Sequence, residues 1–277
     1  MSGWAQMMPA SGSPTILHRW WHSRFGAELG RELALVLGLL LFYKYGRSIV
    51  RHESDIATRH ARQLVSLERD LRIFSEARLQ EAFLGAGTAF EWFLNAYYLF
   101  AHVVVTAIAF FWLYARHPST YVRFRRVMIA MTLIGLAMHV LYPLAPPRMF
   151  PHLGFVDIGR SVGPASYGSG SPYGGFANQF AAMPSLHFGW ALAIAWAAVA
   201  ATRSRWRWIV VTHPVITLAA IVLTANHYWL DAVIAALLFA IALVFDRWRV
   251  SRNRRADRGR HRESATTHGF QGSPIHT

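Results

Sequence analysis

The chain of 277 residues contains no cysteine. That absence excludes disulfide bonds, thiolate catalysis and cysteine-ligated metal sites. Charge is scarce too, since Asp, Glu, Lys and Arg together make up 15% of the residues. Residues 1–30 lack a short apolar core followed by a small-residue cleavage site, so we expect no removable signal peptide. No polar block is long enough for a nucleic-acid-binding module, and we expect no nucleic-acid partner.

Apolar residues are abundant instead, at 54% of the chain, and they cluster in long runs. A helix needs about 20 mostly apolar residues to cross a membrane. The runs lie at residues 31–45, 88–115, 121–143, 185–201, 208–225 and 228–246. We therefore predict an all-α, polytopic membrane bundle of six transmembrane helices, in which the first run also serves as a signal anchor.

Residues 52–82 differ because charges of both signs alternate along them. Leu64, Leu67, Leu71 and Phe74 recur at helical spacing and form one narrow apolar face. This segment is too polar to span, so we predict an amphipathic helix that lies on the membrane surface or packs over the bundle. The resulting domain prediction is an N-terminal region (1–84), a catalytic membrane domain (85–247) and a disordered basic tail (248–277).

The formal net charge is +14, and arginine is dense at residues 116–126, at 203–207 and after residue 247. Arginine-rich loops face the cytoplasm. With six spans, these segments share one side, which places both termini in the cytoplasm. Residues 47–82 disagree with the rule, because they carry several arginines on the other side. We expect an integral protein of a bacterial-type plasma membrane.

Three spans carry polar, chemically capable residues at one end, and helix alternation places these ends on the same, extracytoplasmic face. The residues are Arg148 after two prolines, Ser185 and His187 in Pro-Ser-Leu-His, and Asn226, His227 and Asp231 before the last span. Positions four apart share a helix face, so Asp231 is expected to orient the ring of His227 and leave one nitrogen free to attack. His187 is then a candidate acid, while Arg148 and Ser185 suit phosphate oxygens.

Helix starts also expose amide hydrogens, and we expect a phosphate to bind at the start of the last helix, beside His227. Each motif also has a simpler interpretation. A His-x-x-x-Asp pair arises often by chance, Pro-Ser-Leu-His is compatible with a mere helix start, and Arg148 with an interface anchor. Within the second span, His102 is expected to be a satisfied bundle histidine, whereas Glu91 is either interfacial or functional.

Pro184-Ser185-Leu186-His187 together with His227-x-x-x-Asp231 resembles the type 2 phosphatidic acid phosphatase superfamily. The resemblance covers about residues 85–245. It implies a phosphohistidine intermediate formed without metal or other cofactor, with His227 as nucleophile, Asp231 as its partner and His187 as the acid for the leaving group. The substrate class it implies is a lipid phosphate or a phospholipid headgroup.

The sequence departs from the superfamily pattern in ways that resemble its inositol phosphorylceramide synthase-like branch. Leu186 replaces a glycine, Leu141 replaces the lysine of the first motif, and Ile221 stands where the third motif has an arginine. Pro-Pro-Arg148 and Asn226-His-Tyr-x-x-Asp231 are similar to that branch, which assigns Asn226 to the substrate-binding side. Arg160 or an arginine of residues 52–82 is a candidate for the missing cation.

These features predict a membrane enzyme that hydrolyses a lipid phosphoester or transfers its headgroup, and they leave that choice open, along with the oligomeric state. A transporter or lipid flippase is the alternative, based on Glu91, Asn95 and His102 within a span. The absence of an evident inverted repeat weakens it. An interaction protein with a degenerate site is a third possibility, which the intact His187, His227, Asp231 and Arg148 disfavour.

Overall fold

The structure is a computed structural model. It describes residues 54–162 and 179–269 together with Gly30 and Gly38, and side chains of the continuous part up to residue 252. The chain divides into two units, Met1–Ile49 and Val50–Thr277. The second unit carries every feature discussed below. The predicted first span at residues 31–45 and most of the glycine-rich loop before Gln179 lie outside the described residues.

Two short helices open the described chain. Helix α1 is Ser54–Asp70 and helix α2 is Glu76–Leu84, so the predicted single helix over 52–82 is interrupted at Leu71–Ser75. The predicted apolar face is partly wrong, because Leu67 and Leu71 are about half exposed. The buried face of α1 instead contains Ala57, Ala61, Leu64, Val65 and Glu68. Alanines make this face narrow enough to pack closely on the bundle.

Apolar helices form the rest of the fold, which confirms the all-α prediction. They are α3 (Thr88–Arg116, with a π-helical turn at Tyr97–Ala101), α4 (Pro118–Leu141), the short α5 (Ile158–Ser161), α6 (Leu186–Ala201), α7 (Thr212–Leu223, after a 3-10 helix at Arg205–Val211) and α8 (Trp229–Gly269). Within the described residues, four helices are long and apolar enough to cross a membrane. Helix α6 is apolar but shorter. Six spans therefore remain a prediction.

Helix α6 packs against α3, α4, α7 and α8 and is the centre of the bundle. Its buried positions are nearly all Ala or Gly, which lets neighbouring helices approach closely. A Cβ added at Gly189 would lie 2.6 Å from Met131 Cε, and one added at Gly135 would lie 2.7 Å from Leu186 Cδ2. The two glycines thus permit the close contact between α4 and α6.

The two ends of the bundle differ in their polar contacts. At one end Asp246 of α8 accepts hydrogen bonds from Arg123 and Arg126 of α4, each at 2.8 Å. At the other end lie the two α-helices α1 and α2 and the loops that follow α4 and α7. Helix α8 reaches Gly269, past the predicted tail boundary at residue 248, and the predicted disorder of the tail stays a prediction.

Candidate active site

The turn between α7 and α8 presents Asn226 and His227. Helix α7 ends in a Schellman motif, in which Asn226 N donates to Ile221 O at 3.0 Å and Ala225 N donates to Val222 O at 2.9 Å. Ala225 adopts the left-handed conformation (φ 54°) that this motif requires and that usually favours glycine. The turn therefore directs the two polar side chains inward, and both are buried.

The ring of His227 has one defined tautomer. Its Nδ1 lies 2.7 Å from the carbonyl oxygen of Ala182 and 3.3 Å from Asp231 Oδ2. Both partners are acceptors, so Nδ1 carries the hydrogen and Nε2 keeps its lone pair. Burial lowers the pKa of His227 to about 3, which leaves the imidazole neutral. A neutral ring with a free Nε2 is the form that acts as a nucleophile.

Arg148 is fastened to the same turn. It is the middle residue of a 3-10 turn, Pro147–Met149, which follows Pro146. Its backbone N donates to Ala225 O at 2.9 Å. Its Nη1 donates to Asn226 Oδ1 at 2.5 Å, and the side chain is buried. Asn226 in turn donates to Thr224 Oγ1 at 2.7 Å. The side-chain amide of Asn226 thereby holds the guanidinium group of Arg148 beside the turn that carries His227.

A short parallel bridge brings the start of α6 to this site. Leu144 pairs with Ala181, and Ser185 N donates to the backbone oxygen of Asp231 at 3.2 Å. Ser185 is fully buried, and its Oγ has no hydrogen-bond partner among the described residues. An unpaired buried hydroxyl is available to a substrate oxygen.

His187 is the second residue of α6 and lies within a row of aromatic rings. Its ring centroid is 4.5 Å from that of Tyr98, 4.5 Å from that of His102 and 6.2 Å from that of His227. His102 also stacks on Trp190. His102 thus contacts His187, the predicted acid. Its interpretation as an ordinary bundle histidine did not include this contact.

The structure therefore brings the six predicted site residues to one end of the bundle: Arg148, Ser185, His187, Asn226, His227 and Asp231. Two related expectations are wrong. Arg160 is 86% exposed and lies 3.5 Å from Asp157. The arginines of α1 and α2 are exposed as well. From that segment the site receives acids rather than cations.

Glu68 and Glu76 are those acids, and both are fully buried. Leu230 N donates to Glu68 Oε1 at 2.9 Å and Trp229 N donates to Glu76 Oε1 at 3.0 Å. Tyr228 N donates to Asp231 Oδ2 at 2.9 Å. The first amides of α8 are thus bound by the chain's own carboxylates. The prediction that they hold a substrate phosphate is wrong.

Sequence reasoning did not identify these acids, nor His139, whose Nε2 lies 3.1 Å from Pro184 O. A signal for Glu68 exists, because Ala57, Ala61, Leu64 and Glu68 lie on one helix face once alanine is counted as apolar. Asn95 is buried and donates to Val162 O at 2.9 Å, so it holds the end of α5.

Comparison with known proteins identifies the family of the chain. The family model of the PAP2 superfamily matches residues 62–245. The chain therefore belongs to the PAP2 superfamily, whose members include lipid phosphatases and phosphotransferases.

Among curated proteins, the chain is similar to a phosphoinositol dihydroceramide synthase of Bacteroides thetaiotaomicron. The two are 31% identical over 137 residues, a match that covers 44% of this chain and 44% of that protein. The match thus spans less than half the length of either protein. No solved structure matches the chain.

Proposed function

We propose that the chain transfers the phosphorylated headgroup of a membrane lipid to an acceptor hydroxyl through a covalent intermediate on His227. The observation that carries this proposal is the free Nε2 of His227, which the hydrogen bonds on Nδ1 leave unprotonated. Membership of the PAP2 superfamily supports the reaction class.

In the first step, His227 Nε2 attacks phosphorus and forms an N–P bond. The P–O bond to the lipid breaks, and the departing oxygen takes a proton from the imidazolium form of His187, which the negative charge of the bound substrate favours. In the second step, the acceptor oxygen attacks the same phosphorus, its proton passes to His187, and the N–P bond breaks. Arg148, oriented by Asn226, neutralises the phosphoryl oxygens, and Ser185 Oγ donates to one of them.

The charge of the site favours a phosphodiester donor. Within residues 54–162 and 179–252, Arg148 is the one buried arginine. The adjoining residues 163–178 contain neither Lys nor Arg. A phosphodiester carries one negative charge, whereas a phosphomonoester carries about 1.5 to 2 at neutral pH. A single buried guanidinium group therefore suits the one charge of a diester better.

The similarity to a phosphoinositol dihydroceramide synthase suggests the donor headgroup and the acceptor. We accordingly propose phosphoinositol as the transferred group and a long-chain amide alcohol as the acceptor. Both substrates are membrane lipids, in keeping with the apolar helices that surround the site. When water replaces the acceptor in the second step, the same intermediate yields the free headgroup phosphate.

The test uses the full chain in detergent micelles with phosphatidylinositol, with and without dihydroceramide. We expect a new phosphoinositol-bearing lipid only when dihydroceramide is present, and label from a headgroup-³²P donor to become acid-labile and base-stable on the protein. His227→Ala should reduce turnover by at least ~10³-fold. Full turnover by His227→Ala would contradict the mechanism, and release of free phosphate from phosphatidic acid alone would favour a phosphatase.

The orientation of the site across the membrane is part of the proposal. The positive-inside rule places the arginine-rich ends of the helices in the cytoplasm and Arg148, His187 and His227 outside. A fluorescent protein fused to the C-terminus should therefore be bright, since it folds poorly outside the cytoplasm. A dark but full-length fusion would contradict this topology.

A further inference from the structure

We propose that Glu68 and Glu76 are positioning residues for phosphoryl transfer, which hold the start of α8 through a pair of carboxyl groups that shares one proton. The inference rests on the proposed role of His227, since it concerns how that ring is held. It gives helices α1 and α2, a segment outside the apolar bundle, a positioning role in catalysis.

The contacts hold the turn between α7 and α8 from both sides. Glu76 and Glu68 accept from Trp229 N and Leu230 N, the first two amides of α8. Gln80, also buried, donates from Nε2 to Leu223 O at 2.9 Å, at the end of α7. His227 lies between these anchor points. The backbone that carries its ring therefore cannot shift relative to Ala182 without breaking a contact to α1 or α2.

The two carboxyl groups differ in their partners. Both oxygens of Glu76 accept from backbone N–H groups, those of Trp229 at 3.0 Å and Ser75 at 2.9 Å. Glu68 Oε1 accepts from Leu230 N, whereas Oε2 has no donor facing it among the described residues. The side chains of Glu68 and Glu76 are hydrogen-bonded to each other, so a proton on Glu68 Oε2 can be donated to Glu76. This assignment satisfies each oxygen of the pair.

Burial, followed by the hydrogen bond and charge of Glu76, raises the pKa of Glu68 from 4.5 to about 9. The other titratable groups around the pair are Asp231 of α8 and Tyr228 of the preceding turn, and Arg148 from the 3-10 turn is the charged neighbour of Tyr228. Burial and the three carboxyl groups also raise the pKa of Tyr228. Above about pH 9 the pair loses its shared proton, and two buried negative charges would repel each other behind His227.

Glutamine and alanine at position 68 test the shared proton. Glu68→Gln keeps an acceptor for Leu230 N and supplies an N–H to Glu76, as the protonated acid does. We expect it to retain kcat within about twofold and to remain active above pH 9, where the wild type declines. Glu68→Ala should lower kcat by about 10- to 100-fold with little change in KM, because misplacing the nucleophile slows chemistry rather than binding.

At position 76, unlike position 68, glutamine should not preserve activity. Glu76→Gln presents an amide N–H₂ to one of two backbone donors, so we expect it to be nearly as impaired as Glu76→Ala. Glu81→Gln is the matched control, since it removes the same charge from an exposed position of α2 and should behave as wild type. All rates are measured with the full chain, phosphatidylinositol and dihydroceramide in micelles.

Amide hydrogen exchange tests, without substrate, whether Glu68 and Glu76 clamp the start of α8. In Glu68→Ala the peptide that contains Tyr228, Trp229 and Leu230 should exchange at least ~10-fold faster than in wild type, and in Glu68→Gln at the wild-type rate. Altered exchange in a chain that transfers no phosphoryl group to any acceptor would uphold the clamp and overturn the proposed function. If Glu68→Ala does not fold, Glu68→Gln still tests the pair through its pH profile.

Three results would overturn the inference. They are unchanged kcat and exchange in folded Glu68→Ala, a loss in Glu68→Gln as large as that in Glu68→Ala, or an alkaline decline in Glu68→Gln identical to that of the wild type.

Discussion

Helix α8 buries one aspartate near each end of its apolar stretch, about 22 Å apart by the rise of an α-helix. Asp246 is 3% exposed and lies between the guanidinium groups of Arg123 and Arg126. Asp231 is fully buried, and its side chain contacts the ring of His227 and the backbone of Tyr228. The same residue type on one helix thus has two cations at one end and a neutral imidazole at the other.

The difference is the one that the proposed mechanism requires between a structural ion pair and a carboxylate that assists a nucleophile. Arg123 and Arg126 supply Asp246 with charged hydrogen bonds on both oxygens, which favours a fixed anion. Asp231 Oδ1 has no partner in the described part of the chain. A buried carboxylate without a cation is unfavourable, and such arrangements concentrate at functional sites. Positive charge that develops on His227 during attack would be stabilised by Asp231.

The two aspartates should differ most in how their replacement by asparagine affects the rate of headgroup transfer. We expect Asp231→Asn to lower kcat by about 100-fold, because the charge that stabilises cationic His227 is lost. The loss should be smaller than in His227→Ala, since the Ala182 carbonyl still fixes the tautomer. Asp246→Asn should stay within about threefold of wild type per folded molecule. Initial rates of headgroup transfer measure both.

Equal losses in the two asparagine variants would show that Asp231 acts only through folding. Near-wild-type rates in Asp231→Asn would show that the backbone carbonyl of Ala182 alone orients the nucleophile.

Stability should show the reverse order. Asp246→Ala leaves two arginines without their carboxylate, and we expect it to lower the free energy of unfolding by about 2 kcal/mol. That figure is below the usual range for a buried pair, because the arginine side chains are about a third exposed. Asp231→Asn removes a buried charge and should leave the midpoint unchanged or raise it. Thermal unfolding in detergent measures both variants side by side.

The matched control is Asp70→Ala, which removes the same side chain from an exposed position of α1 and should leave the midpoint unchanged. A midpoint for Asp246→Ala equal to that of wild type would contradict the structural role of Asp246.

Much of the bundle was predictable, because apolar runs of helical length need only composition and length to identify. Four of the helices begin within three residues of the predicted starts, namely α3, α4, α6 and α8. The site motifs were predictable as well, since each lies at the end of an apolar run. Membership of the PAP2 superfamily confirms the resemblance on which their roles were based.

The supporting contacts of the site could not be predicted in the same way. Glu68 and Glu76 look like members of an alternating charged surface, and only the fold shows that they point inward. The prediction of an anion site at the helix start was wrong for the same reason. Nothing in the sequence shows that the amides of Trp229 and Leu230 are bound by Glu76 and Glu68, as they are in the structure. Partners brought from 150 residues away leave no local pattern.

The smallest effect expected concerns pH and again distinguishes the two ends. Burial lowers the pKa of His227 to about 3, below its usual 6.5. Between these values the unfolded chain binds a proton that the folded chain does not, so His227 makes stability fall as pH falls from about 6.5 toward 3. His227→Asn should therefore flatten the decline of the unfolding midpoint between pH 6.5 and 5 by a few degrees, whereas Asp246→Asn should lower the midpoint without flattening it. A slope unchanged in His227→Asn would mean that the imidazole is protonated in the folded chain, and it would remove the basis for a neutral nucleophile.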